Sequence, residues 1–154
     1  MLHDLFPLWI ALCANALAQV IKPFIYYYRS GKFDIHYTIA CGGFPSSHTS
    51  TVTALSIAVG LVEGFNSTLF AITSVFSVIV IYDAVNVRYY AGKNIQLTQQ
   101  LVSDLAEMIK LPLDDPIYHE KMKQVLGHRM IEAVGGFVLG AVLTVGVAYI
   151  LGIF

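Results

Sequence analysis

The sequence predicts an all-α integral-membrane bundle: four transmembrane helices with an inserted amphipathic helical segment. Three observations carry that prediction. Hydrophobic residues make up 56% of the chain and charged ones only 12%, against about 25% charged in an ordinary soluble domain. The mean hydropathy is +0.68. The apolar residues gather in continuous runs rather than alternating. In lipid only helices and closed barrels satisfy their own backbone, and continuous runs exclude a barrel pattern. At 154 residues the chain reads as one membrane domain, 1–154.

Four runs stand out: about Leu5–Ile21, Thr49–Leu61, Thr68–Tyr82 and Ala133–Phe154. A straight span needs ~20 residues. The first and last runs reach that length. The middle two reach it when their helices begin near Ser46 and Asn66. The first run has no basic stretch before it, so it reads as a mature span rather than a cleaved leader. Two polar stretches separate the runs. Residues 22–48 carry Tyr26, Tyr27 and Tyr28, which suit a membrane–water interface. In residues 84–131, Ile95, Leu97, Leu101, Val102, Leu105, Met108 and Ile109 recur at helical spacing and predict an amphipathic helix. Asp115 and Pro116 then cap and open another short helix. Residues 92–127 read as an insertion and a candidate lid. Gly136 and Gly140 form a Gly-x3-Gly face on the last run. It predicts close helix pairing, within the chain or across a homodimer.

Four spans put the two polar stretches on one side, and "VEGFNS" with both termini on the other. All nine Lys and Arg residues fall on the first side. By the positive-inside rule that side faces the cytosol, in what reads as a bacterial cell membrane. The net charge of −1 argues against a nucleic-acid partner. Cys13 and Cys41 match no zinc or redox spacing.

The chemistry concentrates at helix ends. In "GGFPSSHTST", Pro45, Ser46 and Ser47 read as a helix start, where free backbone N–H groups and hydroxyls bind anions. His48 sits in the first turn, in reach of a proton on the same anion. A plain capped helix after a glycine turn fits equally well. His128 and Glu132 are four apart and share one helical face. A carboxylate on one imidazole nitrogen leaves the other nitrogen nucleophilic. The same spacing also fits an interfacial pair, or half of a metal site. Asn15, Gln19 and Lys22 share a face of the first span, and polar groups at that depth face a bundle interior. Arg88 follows the third span, in pairing range of Asp83. Lys22, His48, Arg88 and His128 thus each lie at the same-side end of a different helix. Converging, they suit a phosphate: cations for its oxygens, one histidine to attack phosphorus and one to protonate the leaving group.

These residues resemble the divergent bacterial and plant branch of the type 2 phosphatidic acid phosphatase superfamily, relatives of the vanadium haloperoxidases. "KPFIYYYRS" supplies Lys22 and Arg29 at a Lys-x6-Arg spacing, with Ser30 where that superfamily has proline. "PSSH" resembles its Pro-Ser-Gly-His motif, with Ser47 for glycine. The third motif is split: "VRYYAG" gives Arg88, and "GHRMIEAVGG" gives His128 with Glu132 for aspartate, 39 residues further on. The resemblance covers nearly the whole chain. It implies His128 as a nucleophile forming a phosphohistidine, Glu132 as its orienting group and His48 as general acid. Lys22, Arg88, Ser46, Ser47 and Arg29 would hold the phosphoryl oxygens. It implies no metal and no cofactor.

The function expected is hydrolysis of a lipid phosphate or polyprenyl (di)phosphate at the membrane interface. The alternative is a non-catalytic lipid-phosphate binder or transport protein using the same pocket. Vanadate-dependent oxidation suits a lipid setting poorly. With four spans rather than six, a homodimer is one way to enclose the site.

Overall fold

The computed structural model describes residues 5–39, 42–109 and 128–153, all helix, turn or loop with no strand. The helices are α1 (Phe6–Ser30), α2 (Ser47–Glu63), α3 (Thr68–Tyr82), α4 (Arg88–Ile109) and α5 (Met130–Leu151). A short 3-10 turn spans Ile35–Ile39. Among the described residues, three helical runs are long and apolar enough to cross a membrane: Phe6–Ser30, Thr68–Met108 and Met130–Leu151. The fourth expected span, α2, has 17 residues.

α2 is the centre of the bundle and packs against α1, α3 and α5. Its buried positions are mostly small: Ser47, Thr49, Ser50, Thr53, Ala54, Ser56, Ala58 and Gly60 among them. Small residues let backbones approach, and hydroxyls bond across the gap. Ser50 Oγ donates to the Ala14 carbonyl at 3.1 Å. Asn15 donates to Thr51 Oγ1 at 3.0 Å, and Ser77 Oγ to the Val52 carbonyl at 3.0 Å. The Gly-x3-Gly face of α5 is used inside the chain. A Cβ on Gly136 would overlap the Ser46 carbonyl, and one on Gly140 would lie 2.5 Å from the Ser50 carbonyl. Phe6 and Ile10 of α1, Ala58 of α2, and Ala148 and Ile153 close the far end of the bundle as one apolar cluster.

Two sequence expectations are corrected here. The polar stretch expected from residue 22 is helical to Ser30 and ends on Gly31, whose φ of 68° suits only a residue without a side chain. α1 runs through Pro23, which membrane helices tolerate because neighbouring groups take up the freed backbone. The segment after α1 folds back on it: Tyr37 stacks on Tyr26 with centroids 3.9 Å apart. The amphipathic helix expected within residues 84–131 is present, but no loop separates it from the third span. α3 passes through one π-helical segment, Asp83–Val87, directly into α4. The amphipathic pattern therefore belongs to an extension of the third span. Forty-one residues of helix measure about 60 Å, twice the ~30 Å of hydrocarbon a bilayer offers. The expected cap at Asp115–Pro116 and the rest of the candidate lid beyond residue 109 lie outside the described residues.

Candidate functional site

The turn before α2 is fastened to the first turn of α5. Gly43 takes φ +84°, a conformation side chains disfavour. The ring of Phe44 covers Gly135 so closely that a Cβ there would overlap it. The Ser46 N–H donates to the Glu132 carbonyl at 2.9 Å. Ser46 Oγ then caps α2, accepting from the Thr49 N–H at 3.3 Å and the Thr49 hydroxyl at 3.1 Å. Ser46 is completely buried, so its oxygen serves the helix start. Ser47, also buried, follows it as the first residue of α2.

His48 comes one residue later and meets His128. His48 Nδ1 lies 3.4 Å from His128 Nε2, with ring centroids 5.6 Å apart and planes at 66°. His128 Nδ1 lies 3.0 Å from Glu132 Oε2, which also accepts the Arg129 N–H at 3.2 Å. A carboxylate only accepts, so Nδ1 of His128 carries the proton and Nε2 offers its lone pair. The hydrogen shared between the rings then belongs to His48. Only 2% of His128 is exposed. Its backbone N–H donates to the Ala84 carbonyl at 3.0 Å, inside the π-helical segment. A π turn displaces the regular i→i−4 ladder, and such turns concentrate at functional sites.

The expected cations divide into two groups. Lys22 is 2% exposed and stands two turns inside α1 rather than at its end. Lys22 and Arg88 both lie within electrostatic range of His48, as does Asp83. Arg88 is half-exposed and its Nε donates to Asp83 Oδ2 at 2.6 Å. Arg29 is not among the charges acting on His48. It shares a face of α1 with Lys22 about 10 Å further along, and lines a cavity of about 380 Å³ with Glu132, Lys93 and Arg129. Lys93 and Arg129 were not singled out as anion ligands from sequence. Lys93, five residues after Arg88, is placed there by the unbroken passage of the third span into α4. Among the described residues no cluster of three or more His, Cys, Asp or Glu side chains could hold a metal ion.

A family model described as "Divergent PAP2 family" matches residues 4–143. The chain belongs to the Divergent PAP2 family. It is 40% identical over 149 residues, 94% of each chain, to the "Uncharacterized membrane protein YuiD" of Bacillus subtilis (strain 168). No solved structure matches it. The matched range of the Divergent PAP2 family includes both histidines, Glu132, the π-helical segment and all of α4. The matched range also spans the stretch between Arg88 and His128. Membership and the long apolar helices together make this a membrane protein.

Proposed function

We propose that the protein is a membrane phosphohydrolase acting on a lipid phosphate or polyprenyl (di)phosphate. One observation carries the reading: two imidazoles from different helices meet at 3.4 Å, and the buried one is backed by a carboxylate at 3.0 Å. In the reaction, His128 Nε2 attacks phosphorus and the bond to the leaving oxygen breaks. His48, entering as the imidazolium, gives that oxygen a proton and is left neutral. Glu132 holds the proton on Nδ1 and offsets the charge the ring acquires. Water then attacks the phosphohistidine, His48 takes the water's proton, and the N–P electrons return to Nε2. In the resting site the two rings touch, so the entering phosphoryl group must part them and take the place of Nε2 as His48's partner. Lys22, with Arg88 once it leaves Asp83, would neutralise the phosphoryl oxygens, and Ser47 and the α2 N-terminus would add donors. On this reading α2 crosses the membrane as a fourth span, short at 17 residues. The site then opens at the cation-rich, cytosolic face.

Phosphate release from phosphatidic acid and from a prenyl phosphate and diphosphate, by purified protein in detergent, tests the proposal. The expected result is turnover that His128→Ala abolishes. Turnover unchanged in His128→Ala would refute the mechanism. The second reading, a lipid-phosphate binder, draws on the closed contact between the rings and on the engagement of Arg88 by Asp83 at 2.6 Å. It wins where these lipids bind and none is hydrolysed.

A further inference from the structure

We infer that Gln19 reads the substrate's leaving group, its carboxamide oxygen accepting a hydrogen bond from a hydroxyl on the departing alcohol. The starting observation is an orphaned acceptor. Gln19 Oε1 is buried and has no hydrogen-bond partner among the described residues. The polar groups that flank it along α1 and α2 are engaged. Asn15 donates to Thr51 Oγ1 at 3.0 Å, and Thr51 Oγ1 donates to the Ser47 carbonyl at 2.7 Å. Ser50 Oγ donates to the Ala14 carbonyl. An acceptor shut away without a donor is costly. A ligand that brings an O–H removes that cost.

The register of α1 against α2 says where that ligand lies. The two helices run antiparallel. Ala14 meets Ser50 and Asn15 meets Thr51, while the Lys22 stem lies 4.0 Å from the place a Cβ on Gly43 would take. As numbers rise along α1 they fall along α2. Gln19, four residues after Asn15, therefore stands level with Ser47, four before Thr51, and with its neighbour His48. Gln19 also shares the α1 face of Asn15 and Lys22, and Lys22 acts electrostatically on His48. That face thus offers an ammonium for phosphoryl oxygens and, about 5 Å deeper, a neutral acceptor. His48 protonates the leaving oxygen, so the carbon skeleton behind that oxygen lies at the level of Gln19. A prenyl alcohol carries no second O–H there. A glycerol skeleton esterified by one chain does, on the carbon beside the phosphoester carbon. The ligand class is therefore a long-chain phosphomonoester with a vicinal hydroxyl. The leaving-group role rests on the phosphohydrolase reading; the hydrogen bond does not.

The test is a two-by-two comparison on full-length protein in detergent. One ligand is a monoacylglycerol phosphate with its 2-hydroxyl free. The other is the matched acyloxypropyl phosphate, which lacks only that hydroxyl. The proteins carry Gln19 or Gln19→Met, which keeps the side-chain length and removes the acceptor. Binding is read by native mass spectrometry on the His128→Ala background, where nothing is turned over. Hydrolysis is read as kcat/KM with His128 intact. With Gln19 present, the hydroxyl compound is expected to bind about tenfold more tightly than its analogue. Gln19→Met should erase that preference, bringing the hydroxyl compound down to the level of the analogue. Gln19→Leu repeats the comparison should the Met variant melt early. Equal binding of the two compounds to the Gln19 protein overturns the inference, and so does a preference that survives both substitutions. Binding preference without hydrolysis of either compound sinks the phosphohydrolase reading and leaves the hydroxyl site standing.

Discussion

His48 Nδ1 and His128 Nε2 stand 3.4 Å apart across 80 residues of sequence. Their meeting depends on two fastenings that hold different partners. Ser46 N–H binds the start of α2 to the Glu132 carbonyl, and the His128 N–H binds the approach to α5 to the Ala84 carbonyl. Each ring is positioned by backbone from another helix.

That relationship predicts graded losses in the histidine cluster. His48→Ala should lower turnover by roughly 10²–10⁴, the usual worth of a positioned proton donor. A phosphohistidine trapped by rapid acid-free quenching should form in the wild type and be missing in His128→Ala. Glu132→Gln keeps a hydrogen-bond acceptor without the charge, so it should lower kcat more than it raises KM.

Deleting one residue from the π-helical segment, for example Val85, should restore a regular helix. The wider π turn takes up about one extra residue, so the helix beyond it keeps its facing and the change is local. The regular ladder would reclaim the Ala84 carbonyl, and the His128 N–H would lose its partner. The expected outcome is an unchanged helical circular dichroism signal with phosphate release lost. An active deletion variant would show that the segment does not set the site.

Gly136→Leu should destabilise the bundle by about 1–3 kcal/mol or prevent its assembly, because the new side chain meets the Ser46 carbonyl. Gly146 has open space around its Cβ position. Gly146→Ala should therefore be neutral or raise stability by about 0.5–1 kcal/mol through helix propensity. Thermal unfolding in detergent separates the two.

Orientation is checked by introducing cysteine at Lys32 and, separately, at Asn66, in cells whose envelope excludes a charged thiol reagent. With the cation-rich face inside, labelling should occur at position 66 and fail at position 32. The reverse pattern would turn the site outward.

Much of this arrangement was readable from residue chemistry. Ser46 announced α2, whose start its hydroxyl caps, and α3 begins behind Ser67, one residue past the Asn66 start expected. His128 and Glu132 share a face because the helical repeat puts them there. The Gly-x3-Gly pattern forecast a close pairing, though only the packing of α2 shows that it is spent within the chain. What stayed hidden came from tertiary contacts. Lys22, Pro23 and three tyrosines look like the close of a span. The helix continues because Tyr37 and Phe33 fold back on Tyr26 and Phe24. The π-helical segment has no composition signal, so Arg88 read as a span end. Lys93 and Arg129 lie far apart in sequence, and the fold brings them to one cavity.

The central helix is rich in hydroxyls and carries little aliphatic bulk, while its neighbours hold the greasier surfaces. Such a segment gains little by entering lipid alone. During synthesis it depends on α1 to receive its serines, and its remaining flank stays uncovered until the C-terminal glycines emerge. His128 arrives with that final piece. A truncated product is thereby left without the paired histidines, and the bundle and the pair are completed together.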